Sequence, residues 1–165
     1  MGLFDLFKQP QIPTVQSILP QVAVNEIMSG RLPILKTDKI FMRNGEKCHY
    51  IDKALYEKKI VKKQYVRRSN GYSMPGFFKG DRIFLGGGHT DVTDNVHYEK
   101  YRGILYITNR RIIFQGEQGG FDIKISDLVA IRPYGNCVEI QCSKGNYTIF
   151  VPNGIVAHAV LQLIQ

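Results

Sequence analysis

A chain of 165 residues, 44% hydrophobic and 22% charged, has enough apolar material for one full core, and this composition excludes wholesale disorder. No apolar run approaches the roughly 20 residues a bilayer-spanning helix needs, and Asp5, Lys8 and Pro10 occupy the place where a secretory signal would carry its apolar stretch. The formal charge of +8 is concentrated: between Lys36 and Asn70 eleven basic residues stand against four acidic ones, which points to an anionic partner and says nothing about fold.

Leu6 stands where an N-myristoylation pattern wants Ser or Thr. Cys48, Cys137 and Cys142 make an odd count without paired spacing, so they read as free thiols in a reducing compartment, and a cytoplasmic location with peripheral membrane contact as an option is expected. Leu3, Phe4, Leu6 and Phe7 near the N-terminus form a short amphipathic turn that can pack on the body, a partner or a membrane surface, or a frayed end.

Residues 14–29 carry a helical pattern in which Thr14 can cap, Val15, Ile18, Leu19 and Val22 share a face, and Gly30 sits at a C-cap. Pro20 splits the segment and opens a second short helix that ends at Gly30. Residues 32–44 are mixed, with apolar side chains expected to cover one end of the core, and Asn44–Gly45 is a turn. Residues 46–51 alternate as a strand. Residues 54–68 combine helix formers (Ala, Leu, Glu, Lys) with Ile60, Val61, Tyr65 and Val66, and are read as strand. Residues 70–80, with three glycines and a proline, are read as a loop.

A strand is expected over Arg82–Leu85, stopped by Gly86–Gly88, followed by a polar connection over His89–Lys100. Gly103–Gln115 is the most informative stretch. Two apolar runs flank Thr108–Asn109–Arg110, and Asn, which tolerates left-handed backbone and caps its own turn, makes the junction a hairpin. Short strands follow over Phe121–Ile125, Leu128–Ile131, Val138–Cys142 and Tyr147–Val151, a spacing typical of a barrel or sandwich. The chain ends in a helix capped by Asn153, whose apolar face comprises Ile155, Val156, Ala159, Val160, Leu163 and Ile164; at about 11 residues it must dock to be stable.

The run from Gly103 through Thr108–Asn–Arg–Arg–Ile–Ile–Phe114, with Ile123–Val129, Val138–Ile140, Tyr147–Phe150 and the closing helix, resembles the GRAM and bacterial pleckstrin-homology-like (PH-like) domains. The resemblance implies a mostly β fold, α+β by count: an antiparallel β-barrel or sandwich capped by a C-terminal amphipathic helix. Residues 1–31 would be an N-terminal helical extension and 32–165 the PH-like domain. In such domains basic residues on the first strands hold lipid phosphates, so the resemblance implies an anion or lipid site at Lys58, Lys59, Lys62, Lys63, Arg67 and Arg68. If that segment is a strand, Lys58, Lys62 and Arg68 share one face, and Lys59, Lys63 and Arg67 the other. A solvated edge guarded by lysines is the alternative.

Tyr72, Met74, Phe77 and Phe78 lie on the glycine-rich stretch, where they either pack back on the core or form a partner contact. His89, Asp91, Asp94 and His97 match no metal-site spacing, and the three glycines lack the Lys–Ser/Thr of a phosphate loop. No nucleophile and base are suitably spaced and no nucleic-acid motif is present. The expectation is therefore a non-enzymatic binding module without metal or cofactor. It docks a protein partner or a second copy, or alternatively holds an anionic membrane surface or other anion through Lys58–Arg68.

Overall fold

The computed structural model describes residues 13–69, 71–75 and 82–165, with the backbone alone at 69, 72–75 and 82–85. In chain order the elements are α1 (Gln21–Met28), β1 (Cys48–Ser69), β2 (Tyr72–Pro75), β3 (Arg82–Leu85), β4 (Gly88–Thr108), β5 (Arg111–Gly116), β6 (Gly119–Lys124), a 3-10 turn (Ile125–Asp127), β7 (Leu128–Pro133), β8 (Cys137–Cys142), β9 (Gly145–Phe150) and α2 (Gly154–Ile164). The chain is mostly β: one seven-stranded sheet in the order β6-β5-β4-β1-β9-β8-β7, and a separate β2-β3 pair. Two compact units are present, one formed by residues up to Lys58 and from Lys100 onward, the other by Lys59–Glu99.

In the first unit, period-2 alternation produces the strands because one face of the sheet is buried. Cys48, Tyr50 and Ala54 on β1, Leu105 and Ile107 on β4, Ile112 and Phe114 on β5, and Ile123 on β6 point inward, as do Val138 and Ile140 on β8 and Ile149 on β9. Phe121 of β6 lies 4.6 Å from Tyr147 of β9, ring centroid to centroid, although three strands separate β6 from β9 in the sheet order. At about 4.8 Å per strand a flat sheet would hold them far apart, so the sheet is strongly curled. Tyr56 sits among Tyr101, Phe114, Phe121 and Tyr147 at the centre of the curl. The end strands β6 and β7 do not pair, so the sheet is not closed into a barrel.

The C-terminal helix docks as expected of an amphipathic helix, against β7, β8 and α1. Asn153 Oδ1 accepts the N–H groups of Ile155 and Val156. Its buried side is Val156, Ala157, Val160 and Leu161, whereas Ile155 and Leu163 are exposed. Of the expected face Val156, Ala159, Val160 and Ile164 pack on the core, and the correction concerns Ile155 and Leu163 alone: apolar residues surround so much of this helix that periodicity alone does not choose the docked side. Helix α1 begins after Pro20, and residues 14–19 before it are not helical, a correction to the longer pattern. It ends in a Schellman motif, Arg31 N–H to Glu26 O and Gly30 N–H to Ile27 O, with Gly30 at φ +83°. Leu19, Ala23 and Ile27 join the core.

The hairpin turn between β4 and β5 is built differently from its expected form. No described non-glycine residue has positive φ. Thr108 Oγ1, not Asn109, caps the turn by accepting the N–H of Arg110 and of Arg111. Asn109 reaches across the fold instead: its Oδ1 accepts Lys47 N–H at 2.9 Å and its Nδ2 donates to Gly45 O.

In the second unit, Lys59–Ser69 of β1 and Gly88–Glu99 of β4 form a two-stranded ribbon, and β2 pairs with β3 from Tyr72–Leu85 to Pro75–Arg82. Two expectations are corrected here. His89–Lys100 is strand, not connection, because a ladder with β1 satisfies its backbone while both faces meet water and leave no hydrophobic period. Tyr72–Pro75 is strand, not loop, held by its pairing with β3 despite the surrounding glycines.

Candidate functional site

Lys59, Lys62, Lys63, Arg67 and Arg68 are all exposed on the ribbon half of β1, and Lys58 is exposed where β1 leaves the first unit. Strand geometry sends alternate side chains to opposite faces, so Lys59, Lys63 and Arg67 lie on one face with Val61 and Tyr65, and Lys62 and Arg68 on the other with Gln64 and Val66. The ribbon cations are thus divided between two faces. Arg68 Nε is 3.6 Å from Asp91 Oδ2, whose carboxylate also meets His89 Nε2 at 3.2 Å, while His97 Nε2 lies 3.3 Å from Glu99. Among the described residues no three His, Cys, Asp or Glu side chains gather as a metal site would need.

Phe77 and Phe78 lie outside the described residues, as does the Leu3–Phe7 stretch, and Tyr72 and Met74 are described in backbone only. The ribbon presents other apolar side chains, of which the sequence names Val61, Tyr65 and Val66 only as strand formers. Val61 (49% exposed), Tyr65 (67%), Val66, Val92, Val96 and Tyr98 all face solvent. Residue type, not periodicity, could have flagged them, since β-branched and aromatic residues recur there among charged ones.

Two constellations in the first unit also escaped the sequence reading. The first is a buried ion pair. Glu46 Oε1 accepts Arg111 Nε–H at 2.8 Å and the Thr108 hydroxyl at 2.7 Å, and Oε2 accepts Arg43 N–H at 2.8 Å. Arg111 continues to Asp122 Oδ2 at 2.8 Å and to the Phe41 carbonyl. Burial alone would raise the Glu46 pKa, but the hydrogen bonds from Arg111, Arg43 N–H and Thr108 outweigh it and hold the carboxyl at about 2. This joins the loop before β1 to the β4-β5-β6 meander.

The second is an open cleft of about 730 Å³ whose lining includes the half-buried Leu55 and Ile104 and the exposed Lys39, Lys53 and Arg102. These residues come from a loop, β1 and β4, which no short motif would link.

The three cysteines are free and buried, and burial pushes the thiols of Cys48 and Cys137 up to about 11. Among the described residues no helix is long and apolar enough to cross a membrane. Comparison of the chain with protein-family models, with curated proteins and with solved structures gives no match.

Proposed function

We propose that the chain is a non-enzymatic, PH-like binding module that docks a protein partner through the Lys59–Glu99 ribbon. Support for the PH-like reading comes from the series of antiparallel strands followed by one docked C-terminal helix and from the Gly103–Phe114 signature. One observation carries the functional reading: a two-stranded ribbon exposes Val61, Tyr65, Val66, Val92, Val96 and Tyr98 to solvent. Among its described residues the ribbon has no buried side chain, an isolated two-stranded ribbon is marginal in water, and exposed apolar residues such as Val61 and Tyr65 on one face mark a contact surface. The flanking Lys59, Lys62, Lys63 and Arg67 fit a partner whose contact surface is apolar with an acidic rim.

Co-purification from cells that naturally make the protein, with light scattering for self-association, tests this. Replacement of Tyr65, Val92 and Val96 by Ser abolishes the complex if the reading holds. A strictly monomeric protein with no specific partner removes it. The second reading, an anionic membrane surface, rests on those same cations, which have no ion pair among the described residues, each worth about 1 kcal/mol near such a surface. Vesicle co-sedimentation with K62E/K63E/R67E/R68E separates the two, since charge reversal abolishes membrane binding but leaves the apolar contact in place.

A further inference from the structure

The outward face of the first unit's sheet carries a feature independent of the ribbon. Lys53 and Leu55 on β1, and Ile104 and Tyr106 on β4, alternate with the core residues Ala54, Leu105 and Ile107, so they belong to the face that a simple two-layer fold would leave in water. Instead Thr14–Gln16 and Lys39 join them in lining an open cleft of about 730 Å³. Asp52 fixes the N-terminal segment in place, accepting the Ser17 hydroxyl at 2.7 Å and Ile18 N–H at 2.7 Å. The volume falls within the range of small-molecule sites, and Val15, Leu55 and Ile104 give it an apolar lining.

The charge on this lining is unbalanced. Lys39, Lys53 and Arg102 face one carboxylate, Glu117. None of the three cations pairs with a carboxylate among the described residues; the ion pairs there engage Arg68, Lys100, Arg111 and two histidines. A neighbouring hollow of about 560 Å³ shares Lys39, Gln115 and Gly116 and adds Arg43. An apolar lining beside ammonium and guanidinium groups that have no ion pair among the described residues is complementary to one chemistry: an apolar body ending in a singly or doubly charged anion.

We propose that this cleft binds an amphipathic anion, an alkyl chain bearing a phosphate or carboxylate, with the chain against Leu55 and Ile104 and the anionic end held by Lys39, Lys53 and Arg102. The same chemistry can arrive as a free amphiphile or as a lipid drawn from a membrane.

Calorimetric titration of the full chain with monomeric dodecyl phosphate, and with dodecanol as the uncharged control, tests the proposal. Dodecyl phosphate binds and dodecanol binds at least about tenfold more weakly; K39E/K53E/R102E loses about tenfold or more in affinity for the phosphate. All three positions are solvent-exposed, and an unchanged thermal midpoint confirms that the variant folds. K62E/K63E/R67E/R68E binds dodecyl phosphate as the parent does, which keeps this outcome distinct from any failure of the ribbon reading. Co-sedimentation with phosphatidylcholine vesicles, with and without phosphatidic acid, identifies the source: capture that requires phosphatidic acid and is lost in K39E/K53E/R102E assigns a membrane lipid, and monomer binding alone assigns a free amphiphile. Absence of dodecyl phosphate binding, equal affinity for dodecanol, or undiminished binding by K39E/K53E/R102E overturns the proposal.

Discussion

Glu46→Gln is the perturbation whose consequences the structure specifies most fully. The parent carboxylate has no exposed side-chain surface and takes hydrogen bonds from Arg111, Thr108 and Arg43 N–H. The difference between about 2 in the fold and 4.5 for a solvated glutamate corresponds to about 3 kcal/mol of stability carried by the ionised form. Because the folded value lies below the unfolded one, this contribution is complete above pH 4.5, declines as the pH falls towards 2 and is absent below that. At pH 3 about 2 kcal/mol of it is gone. Glutamine keeps the shape, removes the charge and turns a donor towards Arg111, so the variant is about 3–5 kcal/mol less stable at pH 7; Arg111 retaining Asp122 places the loss at the lower end. Urea unfolding of parent and variant at a series of pH values reads both quantities. The gap at neutral pH should narrow by about 2 kcal/mol at pH 3. Parallel curves with an undiminished gap would refute the claim that the charge on Glu46, and not its packing, ties the loop before β1 to the β4-β5-β6 meander.

Other perturbations test the packing and the buried thiols. A Cβ at Gly103 would lie 2.3 Å from Gln115 O and 2.7 Å from the Phe114 ring, so Gly103→Ala should lower stability by about 1–3 kcal/mol, read as a lower thermal midpoint. Asn153→Ala removes the cap on Ile155 and Val156 N–H and should cost about 1 kcal/mol in urea unfolding. Desolvation raises the pKa of Cys48 and Cys137, so alkylation of the folded protein at pH 8 should be slow at both positions and become rapid in denaturant.

What was legible in the sequence follows from what one buried face imposes. Cys48, Tyr50 and Ala54 alternate inward, as do Leu105 and Ile107 or Val138 and Ile140, because their neighbours meet another environment. Gly103, the first residue of the hairpin signature, earns its place by opposing Gly116 beneath the Phe114 ring, where neither position has room for a Cβ. The exchange of roles between Thr108 and Asn109 was not legible. Both residues suit turns, and only the position of Glu46, Gly45 and Lys47 decides which side chain caps and which one bridges. The cleft was hidden for a related reason: Lys39, Lys53 and Arg102 are far apart in sequence, and each reads as an ordinary solvated cation until the fold brings them to the lining of one cleft.

The ribbon presents the opposite case, a long regular element with no periodic signal. Among the described residues β9 pairs with β1 at Leu55, Tyr56 and Glu57, and β5 pairs with β4 from Gly103 to Ile107, so the ribbon halves of β1 and β4 have only each other. Lysines on open strand edges discourage aggregation, which accounts for Lys59, Lys62 and Lys63. It does not account for Val61, Val92 or Val96, which a merely protected edge would replace with polar residues. Threonine matches valine in shape and strand propensity, so V61T/V92T/V96T separates the explanations. Residues that contact only solvent can change without loss of stability, and the thermal midpoint of the isolated protein should stay within a degree or two of the parent while partner binding falls by more than about tenfold. A fall of several degrees would instead show that these valines are packed within the chain, leaving no apolar surface free for a partner.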